Sequence, residues 1–198
     1  IKTETMVLNM GPQHPSTHGV LRLVLDLDGE TVVRCVPHLG YLHTGFEKTY
    51  EDKTYHQCIP ITDRMDYLAP LSNNLAFCLG VEKLLDLEVP ERAQYLRVIL
   101  VELQRISSHL VWLGTHGLDL GAVTPFWYAF RERDMILGLF EELSGVRMMT
   151  SHIRIGGLAL DIPAKWADRL RDFLRIFQGK VDDYEGLLTR NPIFVQRA

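Results

Sequence analysis

The pattern of apolar and polar residues changes once along the chain, from a period of two to a period of three or four. From position 20, four leucines alternate with charged residues and a valine, which is typical of a strand with one face on a core: Leu21, Leu23, Leu25 and Leu27. Asp28-Gly29 predicts a hairpin turn, after which residues 31–36 return as a strand. With a further strand over 3–9, the sequence predicts a small antiparallel sheet of about three strands.

The rest of the chain has the periodicity of helices. We predict a short helix over 47–58, followed by a helix that Thr62 or Asp63 caps. This second helix is predicted to run to about Leu85 and to kink at Pro70, because proline removes a backbone donor from a helix interior.

Three longer helical segments follow. Pro90 suits the first turn of a helix whose apolar positions form one stripe: Leu96, Ile99, Leu100, Leu103, Ile106, Leu110 and Leu113. Gly114 and Gly117 are predicted to break this helix. Thr124-Pro125 is predicted to start the next helix, with Thr124 as the cap, and Gly145 to end it.

Pro163 is predicted to start an amphipathic segment, and a last short helix is predicted over 181–189. Together these elements indicate an α+β fold, in which a small N-terminal antiparallel sheet over 1–45 precedes a mainly helical bundle over 46–198. Since no repeat or low-complexity linker divides them, we expect one structural unit. The chain opens without methionine and stops soon after Asn191-Pro192, so we expect it to be part of a longer polypeptide, truncated at the C-terminus.

Composition narrows the class of protein. The chain has 198 residues, is 46% hydrophobic and 23% charged, and can therefore bury an ordinary globular core. A formal charge of -4 argues against a nucleic-acid surface. Because no stretch is apolar enough for a membrane span, we expect any membrane association to be peripheral. The three cysteines are widely spaced without Cys-x-x-Cys, which favours reduced thiols over a disulfide or zinc site.

The first candidate site is the loop Gly11-Pro12-Gln13-His14-Pro15-Ser16-Thr17-His18-Gly19. Its prolines restrict the backbone and its glycines permit turns, so His14 and His18 lie on a short, stiff segment. Histidine titrates near neutral pH, and a rigid loop that presents one is a candidate proton donor or ligand site. The alternative is that both are structural loop residues that bond to nearby carbonyls.

Two further stretches carry candidate chemistry. In the first, 62–68, the phenol of Tyr67 needs a partner if it is buried, although Tyr67 could equally be a core aromatic beside capping aspartates. In the second, 114–121, Asp119 lies between two leucines of a predicted interhelical loop and would require a cationic or N–H partner. His38 and His43 are interpreted as structural, because no third ligand lies at metal spacing.

Together, five stretches closely resemble the quinone-site core subunit of respiratory complex I, known as the 49-kDa-type or D-type subunit, and its plastid-type relatives. The stretches are Gly11 to Gly19, Gly40-Tyr41-Leu42-His43-Thr44-Gly45-Phe46-Glu47-Lys48, Arg64 to Tyr67, Asp119 to Pro125 and Arg154-Ile155-Gly156-Gly157. The match runs the length of the chain, keeps the spacing between motifs, and covers the N-terminal part of that family's polypeptide. The family is distantly related to the large subunit of nickel–iron hydrogenases, which implies a hydrogenase-large-subunit-like fold.

The resemblance implies a quinone site. In the family, the residues at His18 and Tyr67 hydrogen-bond the two carbonyls of a quinone headgroup, and the aspartate at Asp119 pairs with that histidine. Reduction takes two electrons and two protons, so a positioned imidazole and phenol can donate to oxygens that become more basic as electrons arrive. Asp119 would fix the tautomer of His18 and keep its proton available. The substrate would be ubiquinone, menaquinone or plastoquinone.

The resemblance also implies an electron source outside this chain. Arg64 matches a family arginine near the terminal iron–sulfur cluster, which belongs to a neighbouring subunit. Many relatives have a histidine at the position of Met149, also near the cluster; methionine cannot titrate, so pH coupling of the cluster potential is not expected here. Hydrogenases carry Cys-x-x-Cys where this chain has Asp66 and Ala69, so we expect no metal bound by this chain.

The sequence therefore predicts a subunit of a proton-pumping oxidoreductase that is fed by NADH or ferredoxin, with NADH bound on a different subunit. Its implied partners are the cluster-bearing subunit, other peripheral-arm subunits and the quinone-channel membrane subunit, and no nucleic acid. The implied location is peripheral, on the cytoplasmic side of the bacterial inner membrane or the matrix or stromal side in an organelle. The alternatives are a membrane-bound hydrogenase-related large subunit, and a scaffold or assembly module without its own site.

Overall fold

The structure is a computed structural model that describes residues 5–198. A small antiparallel sheet precedes a mainly helical region, so the prediction of an α+β fold is confirmed. The chain divides into two compact units, one that ends at Glu51 and one that spans Asp52–Ala198. That boundary falls after the first helix, whereas the sequence pattern placed it at residue 45. The expectation of a single structural unit stays a prediction.

The first unit is a three-stranded antiparallel sheet in the order β1-β2-β3. Its strands are β1 (Met6–Met10), β2 (Arg22–Asp28) and β3 (Thr31–His38), and helix α1 (Phe46–Glu51) follows. The predicted hairpin is present, and the predicted first strand is present from Met6, although its residues 3–4 lie outside the described part of the chain. Of the alternating leucines, Leu25 is buried; it pairs with Leu8 and Cys35 on the neighbouring strands.

The second unit begins with two helices, α2 (Tyr55–Thr62) and α3 (Pro70–Leu85). The predicted single helix over 47–58 is wrong, since α1 and α2 are separate. The prediction that Thr62 or Asp63 starts the next helix is also wrong: Asp63 is the C-cap of α2. Helix α3 begins at Pro70 instead of kinking there, because proline is compatible with the first helical turn and disfavours helical geometry in the residue before it.

Helices α4 (Glu91–Asp119) and α5 (Val123–Ser144) pack against each other. Gly114 and Gly117 lie inside α4, so the prediction that they break it is wrong. A Cβ at Gly114 would lie 3.2 Å from the Cα of Phe126, and the glycine therefore permits the close approach of α5. Helix α5 begins one residue before Thr124, with Ala122 rather than Thr124 as its N-cap. Its predicted end at Gly145 is confirmed, with φ of 77°.

The chain continues with a short antiparallel pair, β4 (Ile153–Arg154) and β5 (Gly157–Leu158), and then α6 (Trp166–Leu187) and α7 (Pro192–Arg197). The amphipathic segment that was predicted to start at Pro163 and the short helix predicted over 181–189 are largely one helix, α6. Helix α7 was not predicted. Its N-cap is Asn191, whose side chain accepts hydrogen bonds from the backbone N–H groups of Ile193 and Phe194.

The core of the second unit lies between α3, α4, α5 and α6, and its fully buried side chains include Leu71, Leu100, Ile136, Phe140, Ile153 and Trp166. The indole N–H of Trp166 donates to the carbonyl of Leu139 at 2.9 Å, which satisfies its one polar group. Buried polar groups also join the helices, since the Tyr184 hydroxyl donates to the Glu132 carboxylate at 2.5 Å.

A buried ion pair fastens the β4–β5 turn to the helices. Arg97 of α4 and Glu82 of α3 are 2% and 4% exposed, and the guanidinium donates to both carboxylate oxygens. The same guanidinium donates to the carbonyls of Arg154 at 2.7 Å and Gly157 at 3.1 Å, and the Gly156 N–H donates to Glu82 Oε1 at 2.8 Å. Burial raises the pKa of Glu82, but the hydrogen bonds from Arg97 and Gly156 lower the pKa by more than burial raises it. The net pKa therefore lies below its ordinary value.

Candidate functional site

The loop from Gly11 to Gly19 is held in place by its own hydrogen bonds. Thr17 is 2% exposed, and its hydroxyl contacts the carbonyl oxygens of Pro12 at 3.1 Å and His14 at 2.9 Å. The Nδ1 atom of His14 accepts a hydrogen bond from the backbone N–H of Ser16 at 3.1 Å. His14 thus caps the short 3-10 turn Pro15–Thr17, which is a structural role.

His18 is the second histidine of this loop, and it lies at the end of the 3-10 turn. It ends the 3-10 turn in a left-handed conformation, with φ of 52°, and its N–H donates to the carbonyl of Pro15 at 3.2 Å. Its side chain is exposed. Left-handed backbone is uncommon for residues other than glycine, so the conformation of the loop constrains the backbone of His18.

The backbone of this loop requires glycine at position 11. Gly11 has φ of 81°, and a Cβ there would lie 2.0 Å from the carbonyl oxygen of Leu21, whereas Gly19 has φ of 80° with open space around it. We expect Gly11→Ala to destabilise the full-length protein more than Gly19→Ala, because both pay a left-handed backbone cost of about 1–2 kcal/mol and only Gly11→Ala adds a steric clash. Thermal unfolding of the two variants measures this difference; equal losses would contradict it.

Tyr67 lies on the turn between α2 and α3, with its side chain 51% exposed. The alternative interpretation of Tyr67 as a core aromatic is therefore wrong. Hydrogen bonds of three side chains help to hold the turn: Asp66 Oδ1 accepts from the Leu68 N–H at 3.0 Å, the Asp66 carbonyl from the Asn73 side chain at 3.1 Å, and the Leu68 carbonyl from the Gln104 side chain at 2.7 Å. The phenol thus projects from a backbone that α3 and α4 both fix.

Asp63, at the start of this turn, is fully buried. Its Oδ2 atom accepts from the backbone N–H of Ser151 at 3.0 Å and also from the Ser151 hydroxyl. Arg64 and Met149 are therefore carried by two segments that these hydrogen bonds join. Desolvation by burial raises the pKa of Asp63 above its usual range, although the Ser151 and Asn74 side chains and Arg64 oppose that rise.

Asp119, between Leu118 and Leu120, is the last residue of α4 and is exposed, so its predicted place in an interhelical loop is wrong. It is 15 residues beyond Gln104, the side chain that anchors the Tyr67 turn, which corresponds to about 22 Å along the helix axis. A carboxylate at the C-terminal end of a helix opposes the helix dipole, so this position is not explained by helix stability.

Among the sequence-predicted site residues of the second unit, Arg64, Tyr67 and the segment of Met149 are brought together at one end of α3, while Asp119 lies at the far end of α4. His18 belongs to the first unit. Joint contact of His18, Tyr67 and Asp119 with one ligand stays a prediction. Sequence reasoning missed the buried role of Asp63, for which the only signal was an aspartate near a helix terminus.

The remaining histidines, outside these segments, either pack against neighbouring side chains or are exposed. His116 stacks on Trp112, with ring centroids 5.6 Å apart, beside a cleft of about 470 Å³ between α4, α6 and α7. Within residues 5–198, no three or more His, Cys, Asp or Glu side chains are grouped so that they could hold a metal ion. No helix in that same range is both long and apolar enough to cross a membrane.

Comparison with known proteins shows which class of protein this chain resembles. Residues 119–198 match the family of the respiratory-chain NADH dehydrogenase 49 Kd subunit. This stretch begins at Asp119 and includes the Arg154–Gly157 turn that Arg97 and Glu82 hold. The chain belongs to this family of respiratory-chain subunits.

Curated relatives that the chain is similar to include D subunits of NADH-quinone oxidoreductase. The chain is 65% identical to such a subunit of Chloroflexus aurantiacus over 196 residues, which are 99% of this chain and 48% of that protein. It is 64% identical to the corresponding subunit of Koribacter versatilis over 194 residues (98% and 48%), and 58% identical to that of Geobacter sulfurreducens over 195 residues (98% and 50%). The chain corresponds to the N-terminal part of the D-type family and spans about half the length of these relatives.

Proposed function

We propose that the full-length protein is the quinone-binding core subunit of a proton-pumping oxidoreductase that NADH or ferredoxin feeds. The single observation that carries this proposal is the Tyr67 turn, which presents a half-exposed phenol from a backbone fixed by Gln104 and Asn73. A phenol outside the core that is held this firmly is suited to contact a ligand. The identity to D-type relatives from NADH-quinone oxidoreductases supports the same conclusion.

In this proposal, Tyr67 and His18 donate hydrogen bonds to the two carbonyl oxygens of the quinone headgroup. Two electrons and two protons convert the quinone to the quinol, and each carbonyl oxygen becomes more basic as electrons arrive. A phenol and an imidazolium in fixed positions then supply protons at opposite ends of the ring. The rigid loop around Thr17 supports this role for His18, because it fixes the backbone that carries the imidazole.

Electrons would reach the quinone from an iron–sulfur cluster in a neighbouring subunit. Arg64 and Met149 are the proposed residues nearest to that cluster, and the hydrogen bonds between Asp63 and Ser151 support this by joining their two segments. Because Tyr67 lies three residues after Arg64, one turn would face both the electron source and the substrate. The cluster-bearing subunit, other peripheral-arm subunits and the quinone-channel membrane subunit are the proposed partners.

The substrate is proposed to be ubiquinone, menaquinone or plastoquinone. NADH itself would bind on a different subunit. The proposed location is peripheral, on the cytoplasmic side of the bacterial inner membrane or the matrix or stromal side of an organelle membrane.

Asp119→Asn tests the proposed pairing of Asp119 with His18. We expect slower quinone reduction by the assembled complex, with a pH–rate profile that differs from the wild-type profile. The reason is that a neighbouring carboxylate stabilises the imidazolium, and an amide does not. The measurement is a pH–rate profile of quinone reduction.

Asp172→Asn, which removes an exposed aspartate of α6, is the matched control and is expected to keep the wild-type profile. A wild-type pH–rate profile in Asp119→Asn would rule out the pairing with His18.

A further inference from the structure

Asp63 joins two segments that are far apart in sequence. It is fully buried, and its Oδ2 atom accepts two hydrogen bonds, both from Ser151, 88 residues later. Ser151 is itself held in a left-handed conformation, with φ of 42°, and its carbonyl accepts from the Arg154 side chain at 2.6 Å. Hydrogen bonds in a buried setting are electrostatically stronger than in water, so two bonds to one residue make a firm link between the segments.

The environment of Asp63 explains why this link has one geometry. On the α3 side, the Asn74 amide lies beside the carboxyl group, and both its N–H bonds are used, to the Ile59 carbonyl at 3.2 Å and the Thr62 hydroxyl at 2.7 Å. Asp63 Oδ1 and Asn74 Oδ1 are buried without a protein hydrogen-bond partner. Carboxylate, amide and hydroxyl groups thus fill the junction of α2, α3 and the 150–152 segment.

Few charged groups act on this carboxyl. Arg64, on its own turn, is the one whose charge lowers the pKa of Asp63. On the 150–152 side, the Arg154 side chain donates to the Ser151 carbonyl, and His152 is buried. On the α3 side, the facing group is the neutral amide of Asn74. The two Ser151 donors therefore provide most of the polar contacts that offset the burial of Asp63.

We propose that Asp63 is a positioning residue for quinone reduction: its bonds to Ser151 fix the turn that carries Arg64 and Tyr67 against the segment that carries Met149. The proposal rests on the proposed function of Tyr67. Loss of the link would let the turn move relative to the segment that carries Met149 and would displace the phenol of Tyr67. A misplacement of a reacting group by about 1 Å can lower the rate about 10²-fold. Loss of the link would therefore slow quinone reduction, although Asp63 does not touch the substrate.

The test measures quinone reduction by the assembled complex carrying Asp63→Ala, Ser151→Ala, or both. We expect each single variant to lower turnover by about tenfold or more, with normal reduction of the clusters by the electron donor. Since both changes break one link, their effects should not add. Asp63→Asn retains an oxygen that can accept from Ser151, so it is expected to restore most of the activity.

Asp86→Ala is the matched control, because Asp86 is also a C-cap aspartate, at the exposed end of α3. It should keep wild-type turnover. If Asp63→Ala does not assemble, the test is decided by Ser151→Ala, which removes the hydroxyl donor alone, and by Asp63→Asn. Additive losses from Asp63→Ala and Ser151→Ala, or no rescue by Asp63→Asn, would overturn the proposal.

Hydrogen exchange of the assembled complex separates this proposal from the proposed function. The backbone N–H groups of Arg64 and Met65 donate to carbonyls at the end of α2, and that of Leu68 donates to Asp66 Oδ1. The exchange of all three should accelerate in Asp63→Ala and Ser151→Ala. Faster exchange together with a harmless Tyr67→Phe would support the link and reject the quinone role of Tyr67. Unchanged exchange in both variants would reject the link, whatever Tyr67→Phe does.

Discussion

Tyr67→Phe is expected to lower quinone reduction by about 10²-fold, the size of effect that a positioned proton donor supplies. The change removes one hydroxyl from an exposed side chain, so neither packing nor the turn should alter. Reduction of the iron–sulfur clusters by the electron donor precedes the quinone step and should persist. The measurement is steady-state quinone reduction beside rapid-mixing spectroscopy of the clusters, in the assembled complex.

Tyr95→Phe is the matched control, because Tyr95 is an exposed tyrosine of α4 that takes no part in the proposed site. It should retain full activity. His18→Ala is expected to resemble Tyr67→Phe, with loss of quinone reduction and normal cluster reduction. Unchanged turnover in both Tyr67→Phe and His18→Ala would instead favour a scaffold or assembly module without its own site.

Arg97→Met is expected to destabilise the full-length protein by about 3–5 kcal/mol, the usual cost of leaving one member of a buried ion pair without its partner. Glu82 would keep only the N–H of Gly156. The β4–β5 turn would also lose the hydrogen bonds from the guanidinium to the carbonyls of Arg154 and Gly157. Thermal or denaturant unfolding measures the loss.

The loss should depend on pH. The pKa of Glu82 is depressed in the folded protein, so the stability that this carboxylate contributes is present above its unfolded pKa and disappears as the pH falls through the folded value. In Arg97→Met the unpaired buried carboxyl gains stability on protonation, so the difference between the two proteins should narrow in acid.

Arg92→Met is the control for Arg97→Met, because Arg92 also lies on α4 but pairs with Asp161 on the surface. Exposed ion pairs contribute little, so its effect on unfolding should be small. Comparable losses in Arg92→Met and Arg97→Met would contradict the interpretation that burial makes the Arg97–Glu82 pair structurally important.

The sequence predicted the fold class and those boundaries where local chemistry has a single interpretation. Asp28-Gly29 forms the hairpin turn and Gly145 ends α5 with positive φ, as glycine commonly does. Gly114 misled the prediction because a glycine inside a helix can serve close packing, here against Phe126, instead of termination. That alternative depends on a partner helix, which sequence periodicity does not reveal.

Capping residues were ambiguous for a related reason. An aspartate near a helix terminus has the same signature at either end, and Asp63 proved to end α2 with its side chain bonded to Ser151. No local pattern predicts a partner 88 residues away. Thr124 and Pro125 were likewise compatible with several registers at the start of α5, and the helix begins one residue earlier.

The sequence predicted the loop around His18 better than it predicted the exposure of Tyr67. The glycines and prolines around His18 predicted a stiff loop, and the hydrogen bonds of Thr17 are consistent with one. The exposure of Tyr67 was not predictable, because a tyrosine between charged residues and an apolar helix can either enter the core or project outward from a turn. The roles of His18, Tyr67 and Asp119 came from family resemblance, since the separation of residues along the chain does not reveal their distance in the folded protein.

The most direct test is a structure of the assembled complex with a bound quinone analogue. We expect the Tyr67 hydroxyl and a ring nitrogen of His18 to lie within hydrogen-bond distance, about 2.7–3.2 Å, of the two opposite carbonyl oxygens of the headgroup. The Asp119 carboxylate should contact the other nitrogen of the His18 ring. A headgroup bound away from both side chains would contradict the account.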